Sequence, residues 1–143
     1  MKLLIRGYFM EPKEIKEILV KRNIEKSDDS LKIAELIIKE NIIFKALNMI
    51  YYACFYTVTA LAEKHDFKTS KHSGLLKWFN KKFVYEDKVF SEEMYKVYQE
   101  TFDYRQKDDY NALYIPTLEE TLEILEKAKV FIKTVREYLD SID

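Results

Sequence analysis

The sequence predicts an all-α protein: an antiparallel up-and-down bundle of four long helices plus one short helix. Three observations carry that prediction. Two Gly and two Pro are all that occur in 143 residues, too few turn formers for a β-sandwich. Apolar residues recur every three or four positions along most of the chain, the period of a helix face. Hydrophobic residues make up 48% and charged residues 34%, too apolar a balance for a disordered chain. At this length one domain over residues 1–143 is the default, able to bury roughly two thirds of the surface its unfolded form exposes. Residues 1–11 precede every helical pattern, and the sequence leaves their order open.

The first helix starts at Pro12, where a missing N–H removes only a donor that would be unpaired anyway. No Gly or further Pro follows before Asn41, and Ile15, Leu19, Asn23, Ser27, Leu31, Ala34 and Ile38 form one stripe. It is read as one helix, or as two with a break near "KSDDS", where Ser and Asp compete for a turn. The small Ser27 and Ala34 on the stripe would let a neighbouring helix come close.

From Ile43 to His65 the apolar residues run nearly all the way round, so that helix is covered on all sides, as a central helix or one shared between two subunits. After a loop at 66–72, Leu75, Leu76, Trp78, Phe79 and Phe83 mark a short helix across the bundle's end. Ser91 followed by Glu92 and Glu93 starts the next, with Met94, Val97, Tyr98 and Thr101 on its inner stripe. Thr117 and Glu120 form a capping box ahead of Leu118, Leu122, Leu125, Ile132, Val135, Leu139 and Ile142.

Composition narrows function as well. A net charge of −1 gives no global attraction to nucleic acid or anionic membrane, so such binding must be local. The single Cys54 sits in an apolar run and reads as a small buried hydrophobe, compatible with a reducing, cytoplasmic location. "MKLLIRGYF" begins like a signal peptide, but Arg6 ends its apolar run, and no later stretch reaches the roughly 18 apolar residues of a membrane span. Two Gly exclude a phosphate-binding loop, a dinucleotide fingerprint and a nucleophile elbow. Glu100, Asp103, Asp108 and Asp109 resemble metal ligands by count alone, with no Glu-x-x-His beside them, so neither a metal nor a cofactor is expected.

One residue contradicts its surroundings. Positions 94, 98, 101, 105 and 108 follow at intervals of four and three, which places Arg105 on the inward stripe. A guanidinium cannot shed its charge and is almost never buried unpaired. Either it pairs with Asp109 at i+4 or Asp108 at i+3, worth about 0.3 to 0.5 kcal/mol if exposed, or its stripe faces a polar cleft or subunit seam where it meets phosphate or carboxylate. His72, in "KHSG" at a helix start, could join an anion site or be merely solvated. Lysines at 64, 68, 71, 77, 81 and 82 make the stretch around Trp78 basic, as an RNA-facing patch or the wet face of a short helix.

The segments "ALNMIYYACFYTVTALAEKHDF", "KHSGLLKWFNKKFV", "DYRQKDDY" and "AKVFIKTVREYL", in this order between Pro12 and Leu139, resemble the HEPN superfamily. The likeness is to small prokaryotic members often encoded beside a minimal nucleotidyltransferase. It implies a cytoplasmic homodimer, made through the Tyr-rich second helix and the Arg105 helix, in a toxin–antitoxin-like module acting on RNA or nucleotide. In ribonuclease members an Arg is followed after four to six residues by a His, and the paired motifs of a dimer cut RNA without metal. Arg would stabilise the anionic transition state and His would move the proton. Here Arg105 matches the Arg, but Tyr110, Asn111 and Ala112 stand where the His would fall. An unperturbed phenol titrates near pH 10, far from ideal for that role. The likeness thus implies Arg105 holding phosphate, Asp109 orienting it, and Tyr110 stacking, donating a hydrogen bond or accepting a nucleotidyl group. Asn48 and His72 are weaker candidates for nucleotide or RNA contact; the Arg that commonly follows the Asn is Met49 here. Two readings compete with an enzyme: a catalytically silent dimer that binds nucleotide or docks its partner, and a structural bundle in which Arg105 merely pairs with Asp109.

Overall fold

The computed structural model describes residues 2–142. Five α-helices follow a short hairpin: β1 Leu3–Ile5, β2 Tyr8–Met10, α1 Pro12–Lys39, α2 Ala46–Lys64, α3 His72–Phe79, α4 Glu92–Tyr110 and α5 Leu118–Ser141. A π-helical turn, Asn80–Glu86, continues α3. The expected all-α bundle of four long helices and one short helix is the architecture found.

The hairpin lies in the segment to which sequence patterning assigns no element. Leu3 pairs with Met10, Leu4 with Phe9 and Ile5 with Tyr8. Arg6 and Gly7 between them both take positive φ, 51° and 82°, as a two-residue turn matched to the strand twist requires.

The α1 helix runs unbroken through "KSDDS" because Ser27 and Ser30 face the bundle and not a turn. Ser27 Oγ donates to the Ala53 carbonyl at 2.7 Å and shares a second 2.7 Å hydrogen bond with Thr57 Oγ1. Small residues there bring α1 and α2 into the most extensive helix contact in the chain. The α1 helix ends with Asn41 at φ 62°, its N–H donating to Ile38 O and that of Ile42 to Ile37 O. This is the left-handed cap that satisfies the last carbonyls. Asp66, at φ 57°, closes α2 in the same way with bonds to Glu63 O and Ala62 O.

The α2 helix packs against α1, α3, α4 and α5, which accounts for its apolar circumference within one chain. Tyr51, Ala53, Cys54, Val58 and Leu61 are fully buried. Ion pairs between Arg136 and Asp28 and between Lys129 and Glu35 run α5 antiparallel to α1, and the contacts of Lys127 with Glu100 and of Phe131 with Tyr98 do the same for α5 and α4.

The π turn brings Phe79, Phe83 and Phe90 onto one core cluster, with Phe79 stacked on Phe90 at 5.4 Å. Ser91 Oγ accepts from Met94 N, and Thr117 and Glu120 form the expected capping box. The inward stripe of α5 is Thr121, Ile124, Leu125, Ala128, Phe131, Ile132, Val135 and Leu139. Leu118 and Leu122, expected on it, are exposed instead. A seven-residue repeat drifts around a helix of 3.6 residues per turn, and these two fall at the stripe's edge.

Candidate functional site

The middle of α2 meets the last half of α4 and the start of α3, and charged and polar groups gather there. Arg105 does face inward from α4. Its Nε lies 3.1 Å from Asp109 Oδ2, with side chains 18% and 24% exposed, so the expected i+4 ion pair exists and is largely shielded. The Nε–H nevertheless makes no hydrogen bond, the carboxylate lying off its axis. The guanidinium also sits against two aromatic rings, its Cζ 5.3 Å from the centroid of Tyr51 and 5.6 Å from that of Tyr52. Such contacts contribute about 0.5 to 2 kcal/mol each, more as water is excluded. The inward position of Arg105 is thus supported by a carboxylate at one end and π-faces at the other.

His72 joins the same group from the start of α3. Its Nδ1 is 2.8 Å from the Tyr51 hydroxyl, and its ring stacks on Phe55 at 4.2 Å between centroids. The ring centroids of Tyr51 and Tyr52 lie 5.8 and 5.9 Å from that of His72, so Arg105 and His72 share both tyrosines as neighbours. Burial, and then the nearby Arg105 charge, hold the imidazole below its ordinary pKa. Burial pushes the Tyr51 phenol far above its usual value, so it stays protonated. Beside His72 a cavity of about 270 Å³ opens between α2 and the 66–71 segment, with Glu63, Lys68, Thr69, Ser70 and Lys71 in its wall. Gly74 permits this loop to close in, since a Cβ there would stand 2.6 Å from Thr69 Oγ1.

The other sequence candidates divide. Asn48 is half-buried one turn before Tyr51 and Tyr52 on the same face of α2. Asp108 is held above the ordinary carboxylate range by burial and then by Asp109, with Lys45 opposing. Tyr110, at the place of the motif His, is 77% exposed at the end of α4. Trp78 stacks on Phe67 at 4.7 Å and belongs to the packing, not to an exposed platform. Lys82 pairs with Asp87 at 3.0 Å, while Lys68 and Lys71 face the cavity. Cys54 is fully buried, and burial pushes its thiol up to about 12.

The Tyr51 hydroxyl and its partnership with His72 were beyond sequence reasoning, which reads the Tyr-rich second helix only as central or shared between two subunits. An apolar circumference says that Tyr51 is covered, but only packing brings α3 onto it. Among the described residues no group of three or more His, Cys, Asp or Glu side chains is placed to hold a metal ion. No helix among them is long and apolar enough to cross a membrane.

Known proteins are similar to this chain in sequence. "Putative toxin MJ0142" of Methanocaldococcus jannaschii is 33% identical over 132 residues, covering 90% of this chain and 89% of its own length. A "UPF0332 protein" of Thermotoga maritima is 32% identical over 127 residues, 89% of this chain and 96% of its own. "Putative toxin MJ0605", also from M. jannaschii, is 29% identical over 120 residues, 83% and 87% of the two lengths. The HEPN domain itself matches residues 20–138, from the first third of α1 to the last turns of α5 and across the whole Arg105 cluster. With its helical bundle, the chain belongs to the HEPN domain family.

Proposed function

We propose that this protein is a toxin-like HEPN protein that binds the phosphodiester backbone of RNA at Arg105 and works as a homodimer beside a minimal nucleotidyltransferase. The observation that carries this reading is the placement of Arg105, a largely shielded cation held on Tyr51 and Tyr52 with His72 as a shared neighbour. A guanidinium offers several donors to a phosphate and stacks on aromatic faces, which suits recognition of a phosphate beside a base. Two of the relatives carry toxin in their printed names, which supports the toxin-like part of the reading. Tyr52 and Tyr56, both partly exposed along α2, lie on the surface on which a second copy would meet the Arg105 helix.

The test is incubation of the protein and its Arg105→Ala variant with a mixed RNA pool, followed by fragment analysis and binding measurement. Loss of binding in the variant, with an unchanged oligomeric state, supports the site. Equal binding by both proteins sinks it.

A second reading is favoured by Tyr110. The motif His is replaced by an exposed phenol at a helix end, suited to stacking or to accepting a nucleotidyl group from the partner enzyme. On this reading the dimer is a silent binding module that docks its partner. Labelling with radioactive ATP and a minimal nucleotidyltransferase, lost in Tyr110→Phe, is the expected result; label retained in that variant rejects the acceptor role.

A further inference from the structure

We propose that the hairpin ahead of α1 is an arm through which this protein meets a second copy of itself, β2 of one protomer pairing with β2 of its partner about Phe9. This rests on the dimer reading above and names a part of the chain that makes the contact.

The hairpin is incomplete on its own. Each strand has three residues, and among the described residues the sheet has two strands, so both are edges. A hairpin of this length is marginal in water unless a helix or a further strand covers it. Cross-strand pairing puts Leu3, Ile5, Tyr8 and Met10 on one face and Leu4 and Phe9 on the other. The first face looks toward α1 without closing on it: Ile5, Tyr8 and Met10 line a gap of about 460 Å³ with Ile15, Ile18 and Leu19. The second face is open, with Leu4 62% and Phe9 71% exposed. Free edges are ordinarily guarded by Lys, Glu, Pro or a bulge, and Leu-Leu-Ile and Tyr-Phe-Met hold none of these.

Hydrogen-bond geometry fits a symmetric partner. Ile5 and Tyr8 flank the two-residue turn and form the hydrogen-bonded pair that closes it. At the next position Leu4 and Phe9 therefore direct their N–H and C=O groups outward. An edge of this kind is complementary to itself, because two copies related by a two-fold axis exchange both bonds between identical residues.

Charge then selects the edge. Antiparallel pairing about Leu4 sets Leu3 against Ile5 and Lys2 against Arg6, two cations directly opposed. Pairing about Phe9 sets Tyr8 against Met10 and Gly7 against Glu11, with no like charges opposed. The β2 edge thus accepts its own copy, and Phe9 meets its counterpart on the axis.

The arm also adjoins the side of the molecule on which Tyr52 and Tyr56 lie. Arg22, at the rim of the gap, stands one turn before Lys26 on α1, and Lys26 Nζ is 5.5 Å from the centre of the Tyr56 ring. Ile18 and Ile33, both exposed, fall on the same side of α1 and extend the apolar surface along it. A second copy seated against Tyr56 is therefore within reach of the hairpin. The HEPN match begins at residue 20, so the arm is an addition in front of that domain.

The test uses the full chain at micromolar concentration, with mass read by light scattering and helix content by circular dichroism. The parent should be a dimer. Phe9→Glu and Phe9→Lys each set like charges against each other on the axis, and each should weaken self-association by about 100-fold or more with helix content unchanged. Mixing the two variants in equal amounts should restore the dimer, because Glu then faces Lys. Phe9→Cys should form a disulfide-linked dimer under mild oxidation, since a hydrogen-bonded antiparallel pair holds its Cα atoms about 5.5 Å apart, within the span of a disulfide. Lys133→Cys, exposed on α5, should not cross-link, and Cys54 is buried. Dimeric mass in both charged variants overturns the proposal and leaves the Tyr52 and Tyr56 surface standing, with Tyr56→Glu then the variant that dissociates. Protomer mass that mixing does not reverse, or cross-linking through Leu4→Cys and not Phe9→Cys, overturns the β2 pairing. A monomeric parent overturns the dimer reading and this proposal together.

Discussion

Arg105 and Asp109 face each other across one turn of α4, Nε and Oδ2 3.1 Å apart, on a surface that the Tyr51 and Tyr52 rings shield from water. A pair of this kind holds a cation in place without neutralising its donors. The two Nη nitrogens remain for a ligand, since only Nε lies against the carboxylate.

Removing either partner separates support from function. Arg105→Ala should destabilise the fold by about 1 kcal/mol, through the lost aromatic contacts and a carboxylate left half-shielded. RNA affinity should fall about ten-fold or more, as expected for one charge-assisted contact. Asp109→Asn should keep the folded stability within about 1 kcal/mol and weaken binding less than Arg105→Ala does. Urea unfolding and fluorescence anisotropy measure the two quantities. A large stability loss with unchanged RNA affinity would make the pair structural only.

Stability should fall as the solution is acidified through the histidine range. Burial lowers the pKa of His65, with Lys82, Lys16 and Lys64 adding to it and Asp87 opposing; burial and Arg105 lower that of His72. The buried Nε2 of His65 has no hydrogen-bond partner. Both groups then take up protons in the unfolded chain before they do in the fold. The unfolded state binds more protons between about pH 6.5 and the lower folded values, so stability rises with pH across that window. Above about 6.5 both states are neutral and the effect is absent. Thermal melts from pH 7.5 to 5 should show the decline, and His65→Gln or His72→Gln should each flatten part of it.

The contact between α1 and α2 depends on residues no larger than Ser27. Ser27→Leu should destabilise by about 3 kcal/mol or more, since the added carbons must push apart helices whose hydroxyl and carbonyl are 2.7 Å away. Ser27→Ala should cost about 1 kcal/mol, by removing partners from Thr57 and the Ala53 carbonyl. Denaturant midpoints distinguish them; equal losses would mean that the hydroxyl matters and the spacing does not.

Thr117→Ala removes one half of the capping box that starts α5 and should cost about 1 kcal/mol. Amide exchange in the first turn of α5 should accelerate, while the core of α2 keeps its protection.

Light scattering at micromolar concentration should return about twice the protomer mass of 17.2 kDa. A protomer mass would remove the shared-site part of the functional reading, leaving the Arg105 and His72 geometry within one chain to stand or fall by the RNA assays.

The sequence alone determined that this protein is a bundle of helices, where most of them start, and that Arg105 belongs on an inward face. Those properties are local: period, caps and composition act within one helix, and Pro12, Ser91 and Thr117 need only their own neighbours. It also showed the absence of a His after Arg105. It did not show the hairpin at Leu3–Met10, because Arg-Gly between short apolar runs is a weak turn signal beside Asn-Gly. It did not show the π turn after Phe79, which exists to bring three phenylalanines to one core. Above all, it could not join His72 to Arg105. Periodicity says which side of its own helix a residue takes; which helices then face one another is decided by packing. Here α2 places Tyr51 between α3 and α4, and one buried hydroxyl and one aromatic face connect an imidazole and a guanidinium that lie far apart along the chain.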